Sequence, residues 1–216
     1  MKASDTIYSA LRRRLMTGHY APGSQLKEAE IAAEFDLSRT PVRAALSQLV
    51  AQGLLVAEAN RGVFVAEWTE RDLQEVFSLR RLLEANAAGL AAQRRTDEQL
   101  ATIIAVQARM AKAASKTGPD ATAEVQSANN AFHRAILTAS ASPRLIGICD
   151  SLVDTPMIIG SFYLYDQAEL ARSLQQHDEI IRAIAQKDFE YAVSAMSLHL
   201  KSTFETYMSK RSAAGT

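Results

Sequence analysis

The segment from Leu37 to Leu49 constrains this chain more than any other, because it has the pattern of a short helix with two different faces. Ser38 precedes the helix as a predicted N-cap whose side chain accepts backbone N–H bonds, and Pro41 falls in the first turn, where its missing N–H costs little. One set of positions recurs at helical spacing and predicts a buried apolar stripe: Val42, Ala45, Leu46 and Leu49. Another set predicts an exposed polar face: Arg39, Thr40, Arg43 and Ser47. Such a helix can pack its back on a domain and insert its front into the major groove of DNA.

The flanking sequence predicts a small domain around that helix. Apolar residues at helical spacing predict two earlier helices, one over residues 7–15 and a shorter one over residues 29–35. Two β-rich runs, residues 54–57 and 63–65, enclose a turn and predict a two-stranded wing. Three helices and a wing in residues 1–67 indicate a winged helix-turn-helix, which is a DNA-binding module. The alternative is a small helical module that binds protein.

Charge and cysteine content restrict the classes of function. The chain has no net charge, which argues against a protein that coats nucleic acid by charge alone, although residues 1–66 carry a small basic excess. The one cysteine, Cys149, excludes an internal disulfide. No apolar run approaches the roughly 20 residues that span a bilayer, and the first residues lack the apolar core of a signal peptide. We therefore expect a cytoplasmic protein with no membrane partner.

From Trp68 onward the sequence changes to Ala, Leu, Glu, Gln and Arg at helical spacing. Asp97 and Asp188 are predicted N-caps within a series of helices expected over residues 70–94, 97–115, 121–139, 143–164, 167–186 and 189–209. These helices predict an antiparallel bundle over residues 68–209, and the small polar residues 210–216 predict a disordered tail. The expected fold is mainly α: a winged helix-turn-helix followed by a helical bundle.

Three of the four histidines lie in the predicted bundle, at positions 133, 177 and 199. His177 and His199 are each eleven residues from the turn at Asp188, so an antiparallel pair of helices brings them level. Asn129 lies one helical turn before His133 and shares its face. Three imidazoles and an amide oxygen can therefore meet inside the bundle, and imidazole is the usual ligand for zinc, nickel, copper and iron. The alternative is three separate histidines held by hydrogen bonds.

Two strings in the N-terminal third carry a resemblance to a known family: Gly18-x-Tyr20-x-Pro22-Gly23-x-x-Leu26-x-Glu28, and Ser38-Arg39-Thr40-Pro41-Val42-Arg43 followed by Gly53 and Gly62. Together they resemble the GntR superfamily of bacterial transcription regulators. The resemblance implies contacts to double-stranded operator DNA from Arg39, Thr40 and Arg43. It also implies that Arg61 and Gly62, at the tip of the wing, reach toward the adjacent minor groove.

The bundle carries a second resemblance, on Phe132-His133, on the spacing of the other two histidines and on Arg80-Arg81-Leu82-Leu83-Glu84. These features resemble the FCD effector domain of the FadR-like branch of GntR regulators. The resemblance implies a divalent transition metal, zinc or nickel, bound by His133, His177 and His199. Asn129, the implied fourth ligand, stands where metal-binding members usually have aspartate, and it brings no charge.

The two resemblances together imply a ligand-responsive repressor that acts as a homodimer. Its helical domain is expected to mediate dimerisation and to bind a small organic acid as effector. Arg80 is a candidate partner for the carboxylate of that acid, and a helix salt bridge from Arg80 to Glu84 is the equal alternative. Two other functions remain open. One is a helical metalloenzyme with an appended regulatory module, although the sequence offers no general base beside the histidines, since Asp178 should point elsewhere on its helix. The other is a regulator that binds its effector without metal.

Overall fold

The computed structural model describes residues 3–16, 19–67, 69–153 and 165–213. The chain divides between Glu70 and Arg71 into two compact units. The elements of the first unit are α1 (Ala3–Met16), β1 (Gln25–Leu26), α2 (Glu28–Glu34), α3 (Arg39–Ala51), β2 (Leu55–Glu58) and β3 (Gly62–Val65). Those that follow are α4 (Glu70–Arg94), α5 (Asp97–Ala114), α6 (Pro119–Ala139), α7 (Pro143–Val153), α8 (Gln167–Ala185) and α9 (Phe189–Ala213).

The first unit is a three-helix domain with a small antiparallel sheet, and the fold is the winged helix-turn-helix that the sequence predicts. Ile7 and Leu11 of α1 pack in its core with the apolar stripe of α3, which is buried as expected: Val42, Ala45, Leu46 and Leu49. The sheet has the strand order β1-β3-β2, with Val56 opposite Phe64. β1 is not predicted from the sequence, because two residues are too few to show an alternating pattern. The wing is therefore part of a three-stranded sheet rather than a separate pair.

Three helices begin within one residue of the predicted N-caps, but the predicted capping hydrogen bond is present at only one of them. Ser38 is the N-cap residue of α3 with extended backbone, as predicted, but its exposed side chain makes no capping hydrogen bond in the described structure. Thr96, rather than Asp97, caps α5, because its hydroxyl accepts from the Gln99 N–H at 3.2 Å while the Gln99 side chain bonds back to Thr96. The expected N-cap at Asp188 is confirmed by the 2.9 Å bond from the Tyr191 N–H.

The second unit is the predicted helical bundle, in which α5 packs on α6 and α8, and α8 packs on α9. Small residues let α4 and α9 approach closely: a Cβ added at Gly89 would lie only 2.6 Å from the Phe189 ring. Among the described residues, no helix combines the length and apolarity of a membrane span.

The last helix is longer than the sequence predicts, and the predicted end of the fourth bundle helix lies outside the described residues. The helix predicted over 143–164 is described as Pro143–Val153, and residues 154–164 lie outside the described part of the chain. The last helix continues to Ala213, so it includes Lys210, where the tail was expected to begin. Lys210 pairs with Asp166 and Glu169 at 3.2 and 3.1 Å, and this contact with the start of α8 helps to hold the added turn.

Candidate functional site

The recognition face predicted on α3 is exposed. Arg39, Thr40 and Arg43 lie in the first turns of the helix, on the side away from the buried stripe. The guanidinium of Arg43 is held by Glu28, the first residue of α2, with its Nε 2.9 Å from Oε1 and its Nη2 2.8 Å from Oε2. Arg43 remains 68% exposed in this pair, whereas Glu28 is 30% exposed. The hydrogen bond from Arg43 is the largest influence on the Glu28 carboxyl and lowers its pKa.

The tip of the wing is a tight turn in which Asn60 and Gly62 have positive φ angles of 61° and 108°. Between them, the Arg61 carbonyl accepts a 2.6 Å hydrogen bond from Gln25, which ties the tip to β1. The Arg61 side chain is paired with Glu58 and lies over the Phe64 ring, 5.3 Å from its centroid. Gln25 and Glu28 cannot be identified as supports from the sequence, because only the folded structure places their side chains beside Arg61 and Arg43.

The three histidines of the bundle meet in its interior. His133 on α6, His177 on α8 and His199 on α9 are all buried, and one ring nitrogen of each lies within 4.8 Å of the others. The Nε2 atoms of His177 and His199 are 3.3 Å apart. The ring of Phe132 stacks on His177 at 3.9 Å and so fixes the plane of that imidazole. The geometry therefore brings these histidines together, as the helix register predicted.

Each of these imidazoles has an oxygen partner at its other ring nitrogen. Three side chains provide the partners: Glu84 lies 2.6 Å from His133 Nδ1, Gln107 lies 3.0 Å from His177 Nδ1, and Gln176 lies 3.2 Å from His199 Nδ1. The amide nitrogen of Gln107 donates to the Leu174 carbonyl and to Asp178, and that of Gln176 donates to Ser202. The amide oxygens of both glutamines therefore face the rings. Because carboxylate and amide oxygens accept, we assign the ring hydrogens to Nδ1. All three Nε2 lone pairs are then free to bind a cation.

Burial also keeps the inner histidines neutral. Desolvation, followed by the neighbouring histidines, lowers the pKa of both His177 and His199 well below 6.5. Glu84 behaves in the opposite way, since burial disfavours its charge but Arg80 and His133 together outweigh that effect and lower its pKa to about 2. Neutral imidazoles beside an ionised carboxylate are the state in which histidines bind metal.

Asn129, the expected fourth donor, lies one helical turn before His133 on the same face of α6. It is 5% exposed, and its Oδ1 is buried without a hydrogen-bond partner among the described residues. Unpaired buried oxygens are costly, so this atom gains a partner if it binds a cation. The residues therefore fit a divalent transition metal with three imidazole donors and one amide oxygen.

A polar region continues along the bundle from the histidines. Ser173 lies one turn before His177, and Gln126 lies one turn before Asn129. Both are buried, and Ser173 Oγ and Gln126 Oε1 lack hydrogen-bond partners in the described structure. The N-terminal halves of α6 and α8 pack in one cluster, so these oxygens lie toward the same end of the bundle.

Arg80 is a buried cation near this polar region. Its side chain is 3% exposed, and its Nε donates to Glu84 Oε1 at 2.6 Å, so the predicted helix salt bridge is present. Burial raises the pKa of Tyr165 to about 12, while a hydrogen bond to Thr203 and the charge of Arg80 act in the opposite direction. This tyrosine is therefore a protonated neighbour of Arg80.

Comparisons with known proteins agree with both halves of the structure. Residues 3–65 match the gntR family of bacterial regulatory proteins, and residues 75–202 match the FCD domain. The HTH-type transcriptional repressor GlaR of Escherichia coli (strain K12) is 27% identical over 198 residues, which cover 89% of this chain and 90% of that protein. The Nta operon transcriptional regulator of Aminobacter aminovorans is 40% identical over 85 residues, or 39% of this chain and 40% of that protein.

The same fold occurs in a solved structure, that of E. coli McbR/YncC. It superposes with a TM-score of 0.75 at 23% identity and covers 98% of this chain and 99% of that one. The sequence matches and the two-part fold lead to one conclusion. The chain belongs to the GntR family of bacterial regulatory proteins, in the branch with an FCD domain, and it is a DNA-binding transcription regulator.

Proposed function

We propose that this regulator is a repressor that binds operator DNA as a cytoplasmic homodimer. Arg39, Thr40 and Arg43 contact bases and phosphates in the major groove, and Arg61 and Gly62 contact the adjacent minor groove. The main support for DNA binding through α3 is that the arginines of this helix are exposed on the face opposite its buried stripe. Repression rather than activation is supported by relatives that are named as repressors, among them GlaR and the galactonate operon repressor of E. coli.

We also propose a divalent metal, zinc or nickel, bound by His133, His177, His199 and Asn129. The support is chemical: one ring nitrogen of each histidine lies within 4.8 Å of the others, the ring hydrogens are assigned to Nδ1, and the amide oxygen has no partner in the described structure. When bound, the metal supplies a Lewis-acidic centre that attracts a carboxylate. The protein orients the imidazoles through hydrogen bonds at Nδ1, which raises their basicity as ligands.

The effector we propose is a small carboxylate that also carries a hydroxyl group. Arg80 offers the terminal nitrogens of its guanidinium to the carboxylate, while its Nε stays bonded to Glu84, an arrangement that suits a bidentate contact. Gln126 Oε1 and Ser173 Oγ can accept from a hydroxyl group, which satisfies atoms that are otherwise buried and unpaired. Binding of the acid changes the spacing of the two DNA-binding units in the dimer, and operator half-sites tolerate only a fixed spacing.

A regulator, rather than an enzyme, is the function that the chemistry near the histidines supports. Asp178 is exposed, and its carboxylate accepts from Gln107 instead of facing the histidine cluster. Glu84 is engaged by Arg80 and His133 on its two oxygens. Neither carboxylate is placed to take a proton from a bound water, so we propose that the acid is an effector and not a substrate.

A thermal-shift screen of the purified chain tests this proposal. Propanoate and 2-hydroxypropanoate form a matched pair, each measured with zinc and with chelator. We expect the hydroxylated acid to stabilise the protein more, and the effect to disappear on chelation, through binding linkage. Stabilisation that persists in chelator would favour the metal-free regulator, and turnover of simple esters would favour the enzyme. The acid that stabilises should then release a fragment of the regulator's own promoter in a mobility-shift assay.

A further inference from the structure

The strand β1 and the start of α2 form a short segment that contacts two exposed arginines of the first unit. Leu26 is 4% exposed and anchors this segment in the core. Glu28, the first residue of α2, accepts from Arg43 of α3, with its Oε2 2.8 Å from Nη2. Gln25 is exposed and donates an amide hydrogen to the Arg61 carbonyl at the tip of the wing. The supports of the wing and of α3 therefore lie on either side of one buried anchor.

The Gln25 side chain reaches the tip of the wing because Gly62 leaves space for it. Gln25 lies opposite Phe64 in the sheet, and Gly62 is two residues before Phe64, on the same face. A Cβ at Gly62 would lie 3.0 Å from Gln25 Nε2, so a larger residue would press on the amide. Through this gap Gln25 Nε2 reaches the Arg61 carbonyl oxygen at 2.6 Å. The glycine therefore makes room for this bond, in addition to providing its φ of 108°.

The tip of the wing extends beyond the part of the sheet that β1 supports. β1 pairs with β3 at Val63 and Phe64, so the three-stranded ladder ends before the turn. The turn itself is closed by the 3.1 Å bond from the Arg61 N–H to the Glu58 carbonyl. A two-stranded hairpin without further support is marginally stable in water. The bond from Gln25 to Arg61 therefore attaches the least supported part of the wing to the rest of the domain.

We infer that Gln25 is a positioning residue for DNA binding, which holds the backbone of Arg61 in fixed register with the Arg43 contact that Glu28 supports. A loose wing would lose conformational entropy each time it docked in the minor groove, and this loss would weaken binding. Gln25 reduces the loss by ordering the tip in the free protein, without contacting DNA itself. This inference rests on the minor-groove contact of Arg61 in the proposed function.

A double-mutant cycle on the affinity of the full chain for a fragment of its own promoter tests the inference. Gln25→Met keeps the length of the side chain and removes the donor, so we expect the affinity to fall about 3- to 10-fold, a change typical of one lost hydrogen bond. In Arg61→Ala the same change should weaken binding less than about twofold, because no guanidinium is left to position. In Arg43→Ala, measured at low salt, it should keep its full effect. A full effect in the Arg61→Ala background would overturn the inference.

Deuterium uptake of the free chain provides a second measurement that does not depend on DNA. Gln25→Met should speed amide exchange in residues 58–63 and leave the exchange of α3 unchanged, which also shows that the domain is folded. Gln93→Met makes the same change on the exposed surface of α4, and this variant should match the native chain in uptake of the wing and in promoter binding. Native exchange in the wing of Gln25→Met would overturn the inference.

The outcomes separate the inference from the proposal beneath it. Native promoter affinity in Arg61→Ala removes the minor-groove contact and the inference with it. Weaker binding by Arg61→Ala together with native affinity in Gln25→Met preserves the minor-groove contact and removes only the role of Gln25.

Discussion

The Nε2 atoms of His177 and His199 lie 3.3 Å apart, although each ring donates its Nδ1 hydrogen to a different glutamine. Two lone pairs therefore face each other in a buried space. A cation or an added proton relieves this arrangement, but burial opposes the proton, because it lowers the pKa of both imidazoles well below 6.5. The pair is consequently arranged for a metal rather than for a proton.

This arrangement predicts an acid-labile apoprotein. The pKa of each histidine is lower in the folded chain than in the unfolded chain, so the unfolded state binds more protons below about pH 6.5. Stability is then fully present above that pH and falls on acidification, by up to about 1.4 kcal/mol per pH unit for each histidine. Urea unfolding in chelator at pH 7.5 and 5.5 measures the loss. A free energy of unfolding that is unchanged or higher at pH 5.5 would contradict the prediction.

Glu84 should control metal affinity without touching the metal. Its Oε2 accepts from His133 Nδ1 at 2.6 Å, and Glu84→Gln removes the charge that orients and polarises that ring. We expect zinc affinity to fall by about 10- to 100-fold. Glu98→Gln makes the same change on the exposed surface of α5 and should leave the affinity unchanged. Equal zinc binding by the two variants, in a competition titration, would show that Glu84 has no such role.

The contact between α4 and α9 depends on Gly89. A Cβ there would lie 2.6 Å from the Phe189 ring and 2.7 Å from Val193, so Gly89→Ala should destabilise the chain by about 1–3 kcal/mol. Gly147 in α7 has nothing within 4 Å of its added Cβ, so Gly147→Ala should be neutral or stabilise by up to about 1 kcal/mol. Thermal melting distinguishes the two variants. Similar melting temperatures would mean that α4 and α9 are not in close contact.

Glu28 should improve the selectivity of Arg43 for its operator. It binds the Nε and one Nη of the guanidinium and leaves the outer edge free for a base. Glu28→Gln removes an anion from the DNA-facing side, so affinity for scrambled DNA should rise while the operator-to-scrambled ratio falls several-fold. Glu30→Gln makes the same charge change on α2 and should keep the ratio. A higher ratio in Glu28→Gln would show that the glutamate competes with DNA instead.

Much of this structure could be predicted from helical periodicity. The spacing of apolar residues placed the stripe of α3 in the core, and the equal offsets of His177 and His199 from Asp188 brought them level. Both inferences depend only on which face of a helix a residue occupies, and a sequence displays that directly. The predicted wing lacked its third strand because the sequence does not display that pairing. β1 has only two residues, and it pairs with β3 across a long stretch of chain.

The hydrogen-bond partners of the site could not be predicted in the same way. Gln107 and Gln176 lie on different helices, and each reaches its histidine only after the bundle has packed. The role of Glu84 was partly visible, because its spacing from Arg80 indicates an ion pair. Its second bond, to His133, crosses forty-nine positions of sequence and follows from the packing of α4 against α6.

The affinity of the full chain for a fragment of its own promoter tests the central claim most directly. Arg43→Ala should weaken binding by about 1–3 kcal/mol, which is about 5- to 150-fold, if this residue reads a base. Arg71→Ala removes the same charge from an exposed pair with Glu75 on α4 and should bind like the native chain. Native affinity in Arg43→Ala, or a native chain that binds no promoter fragment, would contradict the account.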